Sequence, residues 1–153
     1  MAGKRTTVLV VEDDKAVRNA LSVILENRGY DVLIAVDGEQ ALGKVTQADV
    51  ILLDLRLPKI DGEEFLKRIR ALGNYTPVVV MSAYMGRTEG LDKLKAYQIV
   101  DFIEKPFTLD YIGDTIRAGA QVAQDMKTIK DHTSRLKAFV ERQTSAPMPM
   151  RLA

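Results

Sequence analysis

Four short apolar runs of this chain end in residues that can do chemistry. Val8-Leu9-Val10-Val11 runs into Glu12-Asp13-Asp14, Val50-Ile51-Leu52-Leu53 into Asp54, and Val78-Val79-Val80-Met81 into Ser82. A fourth, Ile99 to Ile103, is closely followed by Lys105-Pro106. Brought together, Glu12, Asp13 and Asp54 repel one another, and each raises its neighbours' pKa unless a cation intervenes. Carboxylate oxygens are hard ligands, and Mg²⁺ completes an octahedral shell from one or two of them, waters and often a phosphate. Such a site suits phosphoryl transfer, because the metal bridges the acceptor carboxylate and the incoming phosphoryl oxygens. Asp54 is then the nucleophile that forms an acyl phosphate. Lys105 supplies a compact point charge for the phosphoryl oxygens, and the Ser82 hydroxyl donates to another of them.

Assembly of this set depends on the elements that carry it. Each apolar run is short and bounded by turn signals, so it reads as a buried strand. Lys15 to Asn27 places Val17, Leu21, Ile24 and Leu25 on one helical face, with Gly29 as its C-cap. Asp31 to Val36 reads as a strand and Gly38 to Val45 as a helix with Ala41, Leu42 and Val45 facing in. Glu63 to Leu72 carries Phe65, Leu66, Ile69 and Leu72 at helical spacing, a weaker helix spans Glu89 to Ala96, and the last begins near Leu109. Strands separated by helices of this length pair in parallel through right-handed crossovers. The fold class is therefore α/β, a doubly wound five-stranded parallel sheet. Sites in such a sheet form outside the carboxyl ends of the strands.

Each residue also has a plainer reading. Asp14 before Lys15-Ala16-Val17 reads as a helix N-cap, and Asp61-Gly62 as turn chemistry. Ser82 alone is an ordinary loop serine and Lys105 alone an ordinary surface lysine. Their conjunction, each at a separate strand end of one sheet, favours a site.

The bulk properties narrow the class. The 153 residues have room for one domain and an appendage, with ordinary apolar (46%) and charged (28%) fractions. No apolar stretch approaches the ~20 residues of a membrane span, and the first apolar run is too short for a secretory signal. Zero cysteines exclude disulfides and thiolate metal sites, and fit a reducing cytoplasm, the expected location. Residues 1–116 carry a net charge of −3 and residues 117–153 one of +4, so the net +1 hides a mildly basic tail, read as a solvated helix face.

Leu109 to Arg142 contains no proline, and within it Ile112, Thr115, Gly119, Val122, Met126, Ile129, Thr133, Leu136 and Val140 alternate spacings of three and four. This is a heptad-like stripe. As one helix it would span ~51 Å at about 1.5 Å per residue, longer than the sheet needs, and a second copy of the chain is the expected partner. The expected divisions are a domain over residues 1–120, a helical extension over 121–143 for dimerisation or linkage, and a disordered tail over 144–153.

In order and spacing, Val10-Val11-Glu12-Asp13-Asp14, Asp54 with Pro58 and Asp61-Gly62, Ser82-Ala83, and Phe102-Ile103-Glu104-Lys105-Pro106-Phe107 resemble the receiver domain of two-component response regulators over about residues 6–120. The resemblance implies a flavodoxin-like strand order 2-1-3-4-5, with Asp54 as the phosphorylation site. It implies that Asp13, Asp54 and the main-chain carbonyl of Arg56 bind Mg²⁺, with Glu12 acting through a metal-bound water. Ser82 takes the position of the switch hydroxyl and Phe102 that of the switch aromatic. Lys105 stands at the family's lysine position, with a cis bond to Pro106. Tyr84 and Arg56 occupy positions that tune phosphate lifetime in the family. Two departures are Glu12 for an aspartate and Phe102, which lacks a hydroxyl. The implied donor is a sensor histidine kinase or phosphotransfer protein, and the implied event is a phosphorylation-driven switch acting on the chain itself rather than on a separate substrate.

The output is expected to be a protein contact or self-association, through the C-terminal helix or through the face of the fourth helix, fifth strand and fifth helix. No membrane or direct nucleic-acid binding is expected, since no helix-turn-helix pattern or Walker loop is present. The chain reads as a stand-alone receiver, or alternatively as the front of a longer transcriptional regulator. A Mg²⁺-dependent phosphatase of the haloacid-dehalogenase kind is disfavoured by Arg56 where its second aspartate belongs, and a flavodoxin-type nucleotide binder by the acids after the first strand. His132, the only histidine, reads as a solvated helix residue.

Overall fold

The computed structural model describes residues 4–83 and 88–145. In chain order the elements are β1 (Thr7–Val11), α1 (Lys15–Asn27), β2 (Asp31–Ala35), α2 (Gly38–Leu42), a 3-10 turn over Val45–Gln47, β3 (Val50–Asp54), α3 (Gly62–Ala71), β4 (Val78–Ser82), α4 (Thr88–Lys95), β5 (Asp101–Glu104) and α5 (Leu109–Ser145). The sheet is five-stranded and parallel throughout, in the order β2-β1-β3-β4-β5. The strand order is the one the family resemblance implied, and the long C-terminal helix is as the sequence pattern implied.

The two-residue period of the strands divides the core. Leu9, Val11, Ile51, Leu53, Val78 and Val80 point to one side, where α2, α3 and α4 bring Ala41, Phe65, Leu66, Ile69 and Leu94. Val8, Val10, Val50, Leu52, Val79 and Met81 point to the other, onto Leu21 and Leu25 of α1 and Ile112 and Ile116 of α5. All these side chains are buried. Strands covered on both faces read as unbroken apolar runs, which is why β1, β3 and β4 were legible.

Several boundaries differ from the sequence expectation by a residue or two, and two of the differences have a visible cause. The helix expected over Gly38 to Val45 stops at Leu42, because Gly43 closes it with its N–H on the carbonyls of Ala41 and Gln40. Val45 is buried all the same, through the 3-10 turn. β5 is assigned from Asp101 rather than Ile99. The ladder already begins one residue earlier, where Val100 N donates to Val78 O at 2.8 Å. Gly29 follows α1 at φ +93°, a left-handed C-terminal conformation that glycine adopts without strain.

The chain divides into two compact units, Met1–Ala123 and Gln124–Ala153. In the second, residues 124–145 are helical, and the side chains from 124 to 144 are exposed. The expected tail over 144–153 lies, apart from its first two residues, outside the described residues. Among the described residues no helix is long and apolar enough to cross a membrane.

Two glycines lock the segment between β3 and α3. A Cβ on Gly62 would lie 2.6 Å from both the Asp54 carbonyl oxygen and the Leu55 Cα, and one on Gly38 would collide with the Ile60 carbonyl. Gly62 is therefore more than a turn residue: it lets the start of α3 touch the backbone of Asp54. Its N–H donates to Leu55 O at 2.9 Å, while Asp61 caps α3 by accepting from Glu64 N. We expect Gly62→Ala to cost roughly 1–3 kcal/mol, the range for forced overpacking. Gly43→Ala, whose Cβ would meet only Gln40 O at 3.5 Å, is expected to be near neutral. Urea denaturation midpoints of the two variants check this; equal midpoints would refute the steric account.

Candidate functional site

β1 delivers Glu12 and Asp13 to the carboxyl edge. The Glu12 N–H donates to Ala35 O at 3.1 Å, continuing the link to β2. Asp14 caps α1, its Oδ1 accepting from Ala16 N at 2.9 Å and Val17 N at 3.2 Å. Its own N–H donates to Glu12 Oε1 at 3.2 Å, so the start of the helix steadies the carboxylate. Asp54 ends β3, one residue past Leu53, which pairs with Val11 of β1 and Val80 of β4. Its Oδ1 accepts from Arg56 N at 3.0 Å.

Ser82 ends β4 opposite Glu104 in the ladder, and Lys105 N donates to Ser82 O at 2.9 Å. This bond draws the start of the next loop against the end of β4. The Lys105–Pro106 bond is cis. Lys105 Nζ donates to Glu12 Oε2 at 2.8 Å and to Asp54 Oδ2 at 2.9 Å. Three strands thus meet at one ammonium.

Glu12 and Asp54 are only 1% and 5% exposed, whereas Asp13 is exposed. Burial pushes Glu12 up to about 7; the hydrogen bond from Lys105 pulls it down, and the Asp54 charge adds to the rise. Burial works against the charge of Lys105, but its bonds to Glu12 and Asp54 outweigh it and hold the ammonium above the ordinary lysine value. Oxygens of Glu12, Asp13 and Asp54 come within 4.8 Å of one another. Three hard oxygen donors this close, one open to solvent, fit a divalent cation that keeps several waters.

The other expected residues lie around this core. Ser82 is buried at the strand end, and Phe102 is half-buried on the α2–α3–α4 side of the sheet with Tyr97 and Ile99. Arg56 is exposed and enters the site through its backbone N–H. Pro106 lines an apolar cleft with Val17, Ala20, Leu21, Phe107 and Leu109. Tyr84 lies outside the described residues, and His132 is exposed on the helix of the second unit.

Arg18 was not singled out from sequence. Its Nη1 donates to the carbonyl of Glu12 at 3.0 Å and of Asp13 at 3.3 Å, clamping the acidic loop. A signal existed: a cation early in a helix is the wrong charge for the positive end of the dipole, so it serves something else.

A family model described as the response regulator receiver domain matches residues 8–117. The transcriptional regulatory protein TrcR of Mycobacterium tuberculosis is 35% identical over 124 residues, 75% of this chain and 45% of that protein. The sporulation initiation phosphotransferase F of Bacillus subtilis is 33% identical over 112 residues, 72% of this chain and 90% of that protein. The solved receiver domain of the Francisella response regulator 1452 superposes with a TM-score of 0.69 at 32% identity, covering 80% of this chain and 99% of that one. The match spans about half the length of the transcriptional regulators.

The raised Glu12 has a measurable consequence in metal-free protein. Between the ordinary value of 4.5 and about 7, the folded state holds a proton that the unfolded state has released. Stability must then fall as pH rises through that window. Glu12→Gln lacks this slope. Unfolding free energies of the two proteins in chelator, measured from pH 4.5 to 7.5, should diverge accordingly; parallel curves would contradict the assignment.

Proposed function

The chain belongs to the response regulator receiver domain family, and from that premise we propose that Asp54 accepts a phosphoryl group from a phosphohistidine of a sensor kinase or phosphotransfer protein. In the transfer the phosphorus–nitrogen bond of the donor breaks as a phosphorus–oxygen bond to the Asp54 carboxylate forms. The histidine nitrogen keeps the electron pair and takes up a proton. The observation that carries this reading is the convergence of Lys105 Nζ on Asp54 at 2.9 Å and on Glu12 at 2.8 Å.

Asp54 is held for attack by the Arg56 N–H on one oxygen and the Lys105 ammonium on the other. Lys105, with three donors and no acceptor, can turn from the carboxylate to the phosphoryl oxygens without moving its backbone. Glu12, Asp13, Asp54 and the Arg56 carbonyl would hold Mg²⁺, which supplies charge neutralisation to the phosphoryl oxygens. Ser82 would donate to one of those oxygens, drawing its loop inward. Phe102, half-buried on β5 two residues before the ladder partner of Ser82, would then follow into the vacated space. The outcome is a population shift between two packings of the α4–β5–α5 face, driven by a local charge event. The chain thus undergoes the reaction rather than turning over a separate substrate, and the cytoplasm is its proposed location.

The proposed output is a protein contact. That this chain is the front part of a longer transcriptional regulator is a second reading, favoured by the half-length match to such proteins.

Incubation with a radiolabelled phosphodonor and Mg²⁺ tests the assignment. Wild type should label, Asp54→Asn should not, and Asp13→Asn or chelator should slow labelling by about tenfold or more, the scale of lost charge stabilisation by a metal. Full labelling of Asp54→Asn would remove the acceptor from the proposal.

A further inference from the structure

The helix over residues 124–145 carries a stripe of exposed apolar side chains that the chemistry above does not use. Ile129 and Leu136 are 65% and 58% exposed, and Met126, Phe139 and Val140 are exposed beside them. Met126, Thr133 and Val140 fall at the a positions of a heptad repeat, with Ile129, Leu136 and Gln143 at d. A stripe of this period faces one side of a helix and buries itself against a second helix of the same period.

We propose that this segment forms a parallel, in-register two-stranded coiled coil with a second copy of the chain. The charges flanking the seam select the direction. Asp125 occupies a g position and Lys130 the e position that follows in the next heptad. In a parallel pair, g faces e of the partner, so Asp125 meets Lys130 of the partner subunit, twice per dimer. In an antiparallel pair e faces e, which sets Lys130 and Lys137 against like charges. The seam residues select the number of strands. β-branched Thr133 and Val140 at a, with Leu136 at d, favour two, against the single isoleucine at d, Ile129. Thr133 opposes its own copy only when the helices are in register, a polar a-position device that specifies alignment at some cost in stability. Phe139, at g, and the methylene stems of Lys130 and Lys137 extend the covered surface.

The full chain, which has no cysteine, allows a direct test. Light scattering over a concentration series should give twice the 17.0 kDa chain mass. I129E/L136E should be monomeric while Asp54 still labels from a phosphodonor, which separates lost association from lost folding. D125K should weaken the dimer about fivefold at low salt, the scale of two exposed ion pairs, and D125K/K130D should restore it. M126C should form a disulfide dimer on mild oxidation, because a positions of parallel chains adjoin. A wild-type monomer at every concentration, or a dimer that survives I129E/L136E, overturns the proposal. A dimer lost in that variant but giving no M126C disulfide overturns the parallel register.

Discussion

Two carboxylates, both removed from water, share a single ammonium at the carboxyl edge of the sheet. Isolated charges at such burial are untenable, and removing one partner of a buried pair typically costs 3–5 kcal/mol. The arrangement therefore constrains everything that brings the three groups together. β1 must lie beside β3, β4 must separate β3 from β5, and the loop after β5 must fold back over β4. Any topology that moved one of these strands would leave an uncompensated charge in an apolar edge. A sheet in the order β2-β1-β3-β4-β5 satisfies that demand with short connections.

The two layers on the sheet contribute differently. α1 presses Leu21 and Leu25 onto one face, and its start organises the acidic loop through Asp14 and Arg18. On the other face, α3 begins against the backbone of Asp54 itself, through Gly62. The acidic cluster is thus framed on one side by a helix start whose Asp14 N–H holds Glu12 and whose Arg18 guanidinium holds the Glu12 and Asp13 carbonyls. On the other side it is framed by a bare Cα. Phe102 packs in that second layer, on the same side of the sheet as Val80, its partner in the ladder.

Glu12, Asp54 and Lys105 were legible in the sequence because each directly follows or closely trails an apolar run, and a parallel sheet collects such positions at one edge. The early stop of α2 was not, because the apolar period through Val45 persists after the helix ends: burial is conserved while backbone geometry changes. Arg18 escaped because its work is done by a long side chain reaching backwards across a turn to carbonyls, a contact with no periodic trace. Gly62 was read only as a turn, since a near-contact between backbones is invisible until both strands of the chain are placed. What the pattern of residue types carries is the face and the edge; what it lacks is the distance between main chains.

The position of Lys105 has a consequence for how the site opens. β1 and β3, which bear the acids, are each paired on both sides, whereas β5 is an edge strand of four residues bonded only to β4. Local openings of a native protein begin where buried contacts and ladder bonds are fewest. The lowest-energy backbone opening at this edge of the site is therefore fraying of β5, with β1 and β3 still intact. Amide hydrogen exchange would register this as a gradient across the sheet, slowest in β1 and β3 and fastest in β5, so the counterion is tethered to the least protected of the strands that build the site.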